Sequence, residues 1–120
     1  MKWRIRNFIK GVKNLVRWFS VIWKDRDWDY YYILEIYKTK LKFQSEHFRK
    51  YGYHVDSKRD AERMELCIRL MERVQCEYYM DELLNEDLTH EMVEKAISKN
   101  DKARRLLFKL LEQNIERWWT

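Results

Sequence analysis

Proline is absent from this chain of 120 residues, and glycine occurs only twice, at Gly11 and Gly52. These two residue types punctuate most turns and hairpins. Their scarcity excludes a fold of many short strands and favours long helices joined by a few polar turns. Also missing is any apolar run approaching the roughly 18 residues that a membrane-crossing helix needs. At the N-terminus the apolar positions are interrupted by Lys10, Lys13 and Arg17, so the continuous core of a signal peptide is lacking too.

Cysteine is sparse. Cys67 and Cys76 stand nine residues apart on what reads as one helix, a separation of roughly 13 Å along its axis. A disulfide requires Cα atoms within about 7 Å. The pair therefore reads as two reduced, packed thiols of a cytosolic protein.

Catalytic sets are equally scarce. The histidines are His47, His54 and His90, and none sits beside a nucleophile in a recognisable pattern. The segment His90-Glu91-Met92-Val93-Glu94 resembles the start of a zinc-protease helix, but Glu94 stands where the second histidine is needed. Glu62 and Glu65 form the first half of an E-x-x-E magnesium pattern, and its second half is missing: Met80 follows Glu77, and Asn85 follows Glu82, at the third position. There is no glycine-rich phosphate loop. The expectation is a non-enzymatic protein without metal or cofactor.

What the chain does have is charge and aromatic rings, 38% and 16% of its residues. Disordered chains are poor in aromatics, so the mixture points to helices with one apolar and one charged face. About 120 residues make one domain. Short loops favour antiparallel neighbours, and the predicted fold is an all-α antiparallel bundle of four to five helices over residues 1–120.

The first predicted helix, Trp3 to Trp23, carries Ile5, Phe8, Ile9, Val12, Leu15, Val16, Phe19, Ile22 and Trp23 at helical spacing. Its charges have one sign: Lys2, Arg4, Arg6, Lys10, Lys13, Arg17 and Lys24. Seven bases here against +5 for the whole chain leave the remainder at −2. Residues 1–24 therefore form a basic amphipathic helix that packs in the bundle, projects, or is swapped onto a partner.

A turn follows at 24–27, with Asp25 and Asp27 as helix-capping carboxylates. The second helix is predicted from Trp28 to Tyr51, with an inner stripe of Tyr30, Ile33, Leu34, Tyr37, Leu41, Gln44 and Phe48. Gly52 ends it in a left-handed conformation. A third helix, capped by Asp56 or Ser57, runs from Ser57 to Leu84 and buries Ala61, Met64, Cys67, Ile68, Met71, Val74 and Tyr78. Thr89 caps a fourth from His90 to Lys99. Asn100-Asp101 breaks the pattern, and a last helix carries Ala103, Leu106, Leu107, Leu110, Leu111 and Ile115.

Three groups of residues invite a functional reading. The basic first helix suits a membrane surface or an anionic partner. In the turn, Trp28, Tyr30, Tyr31 and Tyr32 cannot all face one core, and an exposed ring near Arg26 could stack on a base while the guanidinium pairs with phosphate. At the C-terminus, Arg117-Trp118-Trp119 places two large rings that should dock on the bundle or on a partner subunit.

The stretch Trp23-Lys24-Asp25-Arg26-Asp27-Trp28-Asp29-Tyr30, the later Lys40-Leu41-Lys42 and the pair Trp118-Trp119 resemble features of a group of small tailed-bacteriophage proteins. The resemblance spans most of the chain from Val21 onward and brings no catalytic residues with it. It implies a phage origin and action in the host bacterial cytoplasm.

In that setting the leading expectation is a homo-oligomeric counter-defence protein that sequesters an anionic nucleotide-type immune signal. Arg26, Trp28, Tyr31, Arg117 and Trp119 are its predicted ligand-binding residues. The alternatives are an inhibitor or adaptor bound to a host defence protein, and a peripheral membrane protein acting through residues 1–24.

Overall fold

The computed structural model describes residues 1–52, 54–75 and 89–118. Every regular element among them is helical: α1 (Lys2–Lys24), α2 (Tyr31–Tyr51), α3 (Ser57–Gln75), α4 (His90–Asn114) and a closing 3₁₀ turn, Ile115–Arg117. The chain is an all-α helical bundle protein. It divides into two compact units, Met1–Ile36 and Tyr37–Thr120.

The first unit holds α1 and the turn that leads into α2. Helix α1 ends where the Asp25 amide donates to the Ile22 carbonyl at 3.2 Å. The chain then turns through Arg26–Tyr30 rather than entering a helix at Trp28. The cap is Asp29, not Asp25 or Asp27: its Oδ1 accepts from the Tyr31 amide at 3.0 Å. A carboxylate two residues ahead of a free N–H competes well for it, so α2 begins three residues later than predicted.

In the second unit, α2 and α3 run antiparallel, as their bridging side chains show. Lys38 Nζ donates to Gln75 Oε1 at 3.0 Å, Lys42 Nζ lies 3.8 Å from Glu72, and Arg49 Nε donates to Glu65 at 2.6 Å. As the number rises on α2 it falls on α3.

Helix α3 is the most buried element. Ala61, Met64, Cys67, Ile68, Leu70, Met71 and Val74 all lie inside, as predicted for six of them. Tyr78 and the predicted extension to Leu84 lie outside the described residues. Helix α3 packs directly on α4, which contributes Ala96, Ala103, Leu107 and Leu111. Each fully buried Leu, Ile or Met side chain is worth roughly 1.5–3 kcal/mol.

The α2 stripe holds for Leu34, Leu41 and Phe48, with Tyr37 and Gln44 half-buried. Tyr30 and Ile33 are instead exposed, because α2 starts beyond Tyr30. Helix α4 is continuous where a break was predicted. Asp101 accepts from Arg104 at 3.0 Å and stays helical, and Ala96, Ala103, Leu107 and Leu111 keep one stripe in phase across the junction. Burial of that stripe outweighs the weak helix propensity of Asn and Asp. Leu106 and Ile115 fall off it and are exposed. Thr89 is the cap predicted for this helix, its hydroxyl accepting from the Met92 amide at 3.2 Å.

Candidate functional site

Helix α1 contains 23 residues and buries none of them. At 100° per residue its apolar side chains, from Ile5 to Trp23, cover a sector of roughly 140°. Every one of the nine is exposed, Phe8, Val16 and Trp23 by more than 70%. Six of the seven bases fall in the adjoining sector, and Arg4 borders the other edge. The only half-buried positions on α1 are Trp18, just outside one edge of the stripe, and Val21, on the side opposite it. The Phe19 and Trp23 rings stack at 5.5 Å on the stripe itself. A helix normally buries its apolar face and leaves its polar face wet; here the apolar face is wet.

The turn after α1 carries three of the predicted residues. Arg26 bends back on the end of α1, donating through Nη1 to the carbonyls of Asp25 at 2.7 Å and Lys24 at 3.4 Å. A cation over terminal carbonyls offsets the negative end of the helix dipole. Trp28 is 82% exposed. Tyr31 is half-buried with its ring edge-on to Tyr32 at 5.2 Å. Arg26, Trp28 and Tyr31 thus share one unit of the chain and one short turn. Trp28 and Tyr30 are the exposed rings that the crowding of four aromatics required.

Arg117 belongs to the second unit. It lines a cleft of about 410 Å³ with Arg63, Leu110, Gln113 and Asn114. Arg63 Nη1 donates to Asn114 Oδ1 at 2.7 Å, and Asn114 Nδ2 donates to the Leu110 carbonyl at 2.8 Å. Trp118 is buried, and its carbonyl accepts from Gln44 Nε2. The docking predicted for the C-terminal pair therefore occurs, within the chain, for Trp118. Trp119 lies outside the described residues. Arg63 and Asn114 escaped the sequence reading because residues 51 apart share no local pattern.

Comparison with family models, curated proteins and solved structures finds no match.

Burial pushes the Cys67 thiol up to about 11, which leaves almost no thiolate at neutral pH. Desolvation, and after it the neighbouring Cys67, raises Tyr37. The Glu65 carboxyl is held below its ordinary range by its hydrogen bonds with Arg49, against a smaller opposing effect of burial. His54 Nε2 lies 3.0 Å from Oδ2 of the buried Asp60. Among those residues no group of three or more His, Cys, Asp or Glu could hold a metal ion.

Proposed function

We propose that this chain is a peripheral membrane protein that lies on an anionic bilayer surface through α1. The exposed apolar sector of that helix carries the proposal. Nine large apolar side chains at helical spacing form a face that water alone would not sustain. The bases beside it match the negative lipid headgroups, each worth about 1 kcal/mol near such a surface. Trp3 and Trp23 suit the boundary between headgroup and acyl chain, where amphipathic rings concentrate. None of the described helices is long and apolar enough to cross a bilayer, so the mode is interfacial rather than spanning.

A paired α1 from a second copy fits less well. Coiled-coil seams are narrow and flanked by charges of both signs, whereas this sector is wide and α1 has no acid. Nucleotide sequestration drew on Arg26, Trp28, Tyr31, Arg117 and Trp119. Of these, Arg26 donates to the carbonyls of Lys24 and Asp25, Arg117 belongs to the other unit, and Trp119 lies outside the described residues.

Co-sedimentation with vesicles tests the proposal. The protein should pellet with mixed phosphatidylglycerol–phosphatidylcholine vesicles and stay in solution with phosphatidylcholine alone. Phe8→Glu with Phe19→Glu should abolish pelleting. Lys10→Gln and Lys13→Gln should each weaken it about fivefold. Protein that remains in the supernatant with both vesicle types would sink the membrane reading. A dimer made monomeric by the Phe substitutions would then assign the stripe to a second copy, and a monomer to a host protein.

A further inference from the structure

We propose that the cleft between α3 and the end of α4 is a binding site for a phosphate group, with Arg63 and Arg117 as its two anion-holding residues. The site is independent of α1 and of the membrane reading.

Among the described residues no carboxylate pairs with either guanidinium, and Arg63's one hydrogen bond is to a neutral amide. Three other arginines of this unit hold acids. Arg49 takes Glu65 through two nitrogens, Arg59 takes Asp56, and Arg104 takes Asp101. Arg63 and Arg117 instead line one concavity together, and no carboxylate among the described residues lines it with them. A planar guanidinium matches two oxygens of a phosphate at once.

Both groups stand on rigid supports. The Asn114 side chain is 96% buried by virtue of its 4% exposure, and its two ends are committed, oxygen to Arg63 and nitrogen to the Leu110 carbonyl. That clamp fixes Nη1 of Arg63, and the residue lines the cleft. Arg117 sits on the 3₁₀ turn between Asn114 and Trp118. The Trp118 amide donates to the Ile115 carbonyl at 3.3 Å, and the indole is almost fully enclosed. Preorganised donors lose little freedom on binding. Gln113 adds a neutral amide at the rim, and Leu110 forms an apolar wall.

The volume, about 410 Å³, falls in the range of small-molecule sites. It exceeds what one phosphate fills, so the ligand extends beyond its charged group. The end of α4 brings its negative dipole here, which is why one arginine would not suffice. The ligand class is a phosphate-bearing small molecule, either a soluble diphosphate or a lipid headgroup.

Isothermal titration of the full chain separates these sources. The probes are inorganic pyrophosphate, ADP and short-chain dihexanoyl phosphatidic acid below its micelle concentration. Saturable binding at one site per chain by at least one probe is expected. Pyrophosphate or ADP would identify a soluble ligand, and phosphatidic acid alone a headgroup.

Arg117→Gln, at an exposed position, should weaken binding at least about tenfold, the loss of one charge-assisted hydrogen bond, with an unchanged circular dichroism spectrum. Arg63→Lys keeps the charge but not the fork and should also weaken it. Lys102→Gln removes one charge elsewhere on α4 and should change nothing. Absence of binding by all three probes would overturn the proposal, as would binding that survives Arg117→Gln and Arg63→Lys or that falls equally with Lys102→Gln.

Discussion

Gly52 shows what a single missing methyl can decide. A Cβ at this position would meet the Ser57 hydroxyl at 2.3 Å and the Phe48 carbonyl at 2.5 Å, while its backbone is not in the left-handed region. Helix α2 ends at Tyr51, just before this glycine as predicted, but the glycine serves close approach rather than a left-handed turn. Gly52→Ala should cost about 1–3 kcal/mol, the range of an overpacked site, measured by urea unfolding. Cys67 supports a complementary prediction. Its thiol, raised by burial to about 11, should resist Ellman's reagent at pH 7.5 in the native protein and react on unfolding. Such residues were legible as types but not as roles. Arg26 stands among aromatics in the sequence, and in the structure it also donates to the carbonyls of Lys24 and Asp25, contacts that composition does not announce.

Helices were the most legible elements, since apolar spacing reports them directly. Their ends were less so. Asp25, Asp27 and Asp29 are equally good caps by composition, and only the geometry of the turn selects Asp29. Asp29→Ala and Thr89→Ala should each cost about 1 kcal/mol, read as a lower thermal midpoint. The false break at Asn100-Asp101 came from weighing local propensity above a stripe that stays in phase. The α2–α3 pair adds a pH dependence. Glu65 is held low in the folded state by Arg49, so its stabilising contribution is complete above the unfolded carboxyl value near 4.3. It is lost as the pH falls through the lower, folded value. Glu65→Gln should flatten that acid limb of a stability–pH curve.

For the whole molecule, the basic first helix and the uneven distribution of charge were plain in the sequence. What the apolar stripe faces was not, because periodicity describes a face and not its occupant. The cleft was half legible: Arg117 stood out beside two tryptophans, while Arg63 becomes relevant only when α3 packs on α4. Vesicle binding should weaken between 0.1 and 0.5 M salt as screening shortens from about 10 Å, yet persist in part, because the buried apolar area is insensitive to salt.

The tryptophans are unevenly placed, and this makes the protein its own optical reporter. Trp3, Trp23 and Trp28 are more than 70% exposed, while Trp118 is 2% exposed. Steady-state emission in buffer should be red-shifted and readily quenched by iodide, with a small inaccessible fraction from the enclosed indole. On anionic vesicles the emission should move to the blue and the accessible fraction fall, without any label. The Trp118 component should stay constant throughout and serve as an internal standard for the integrity of the bundle.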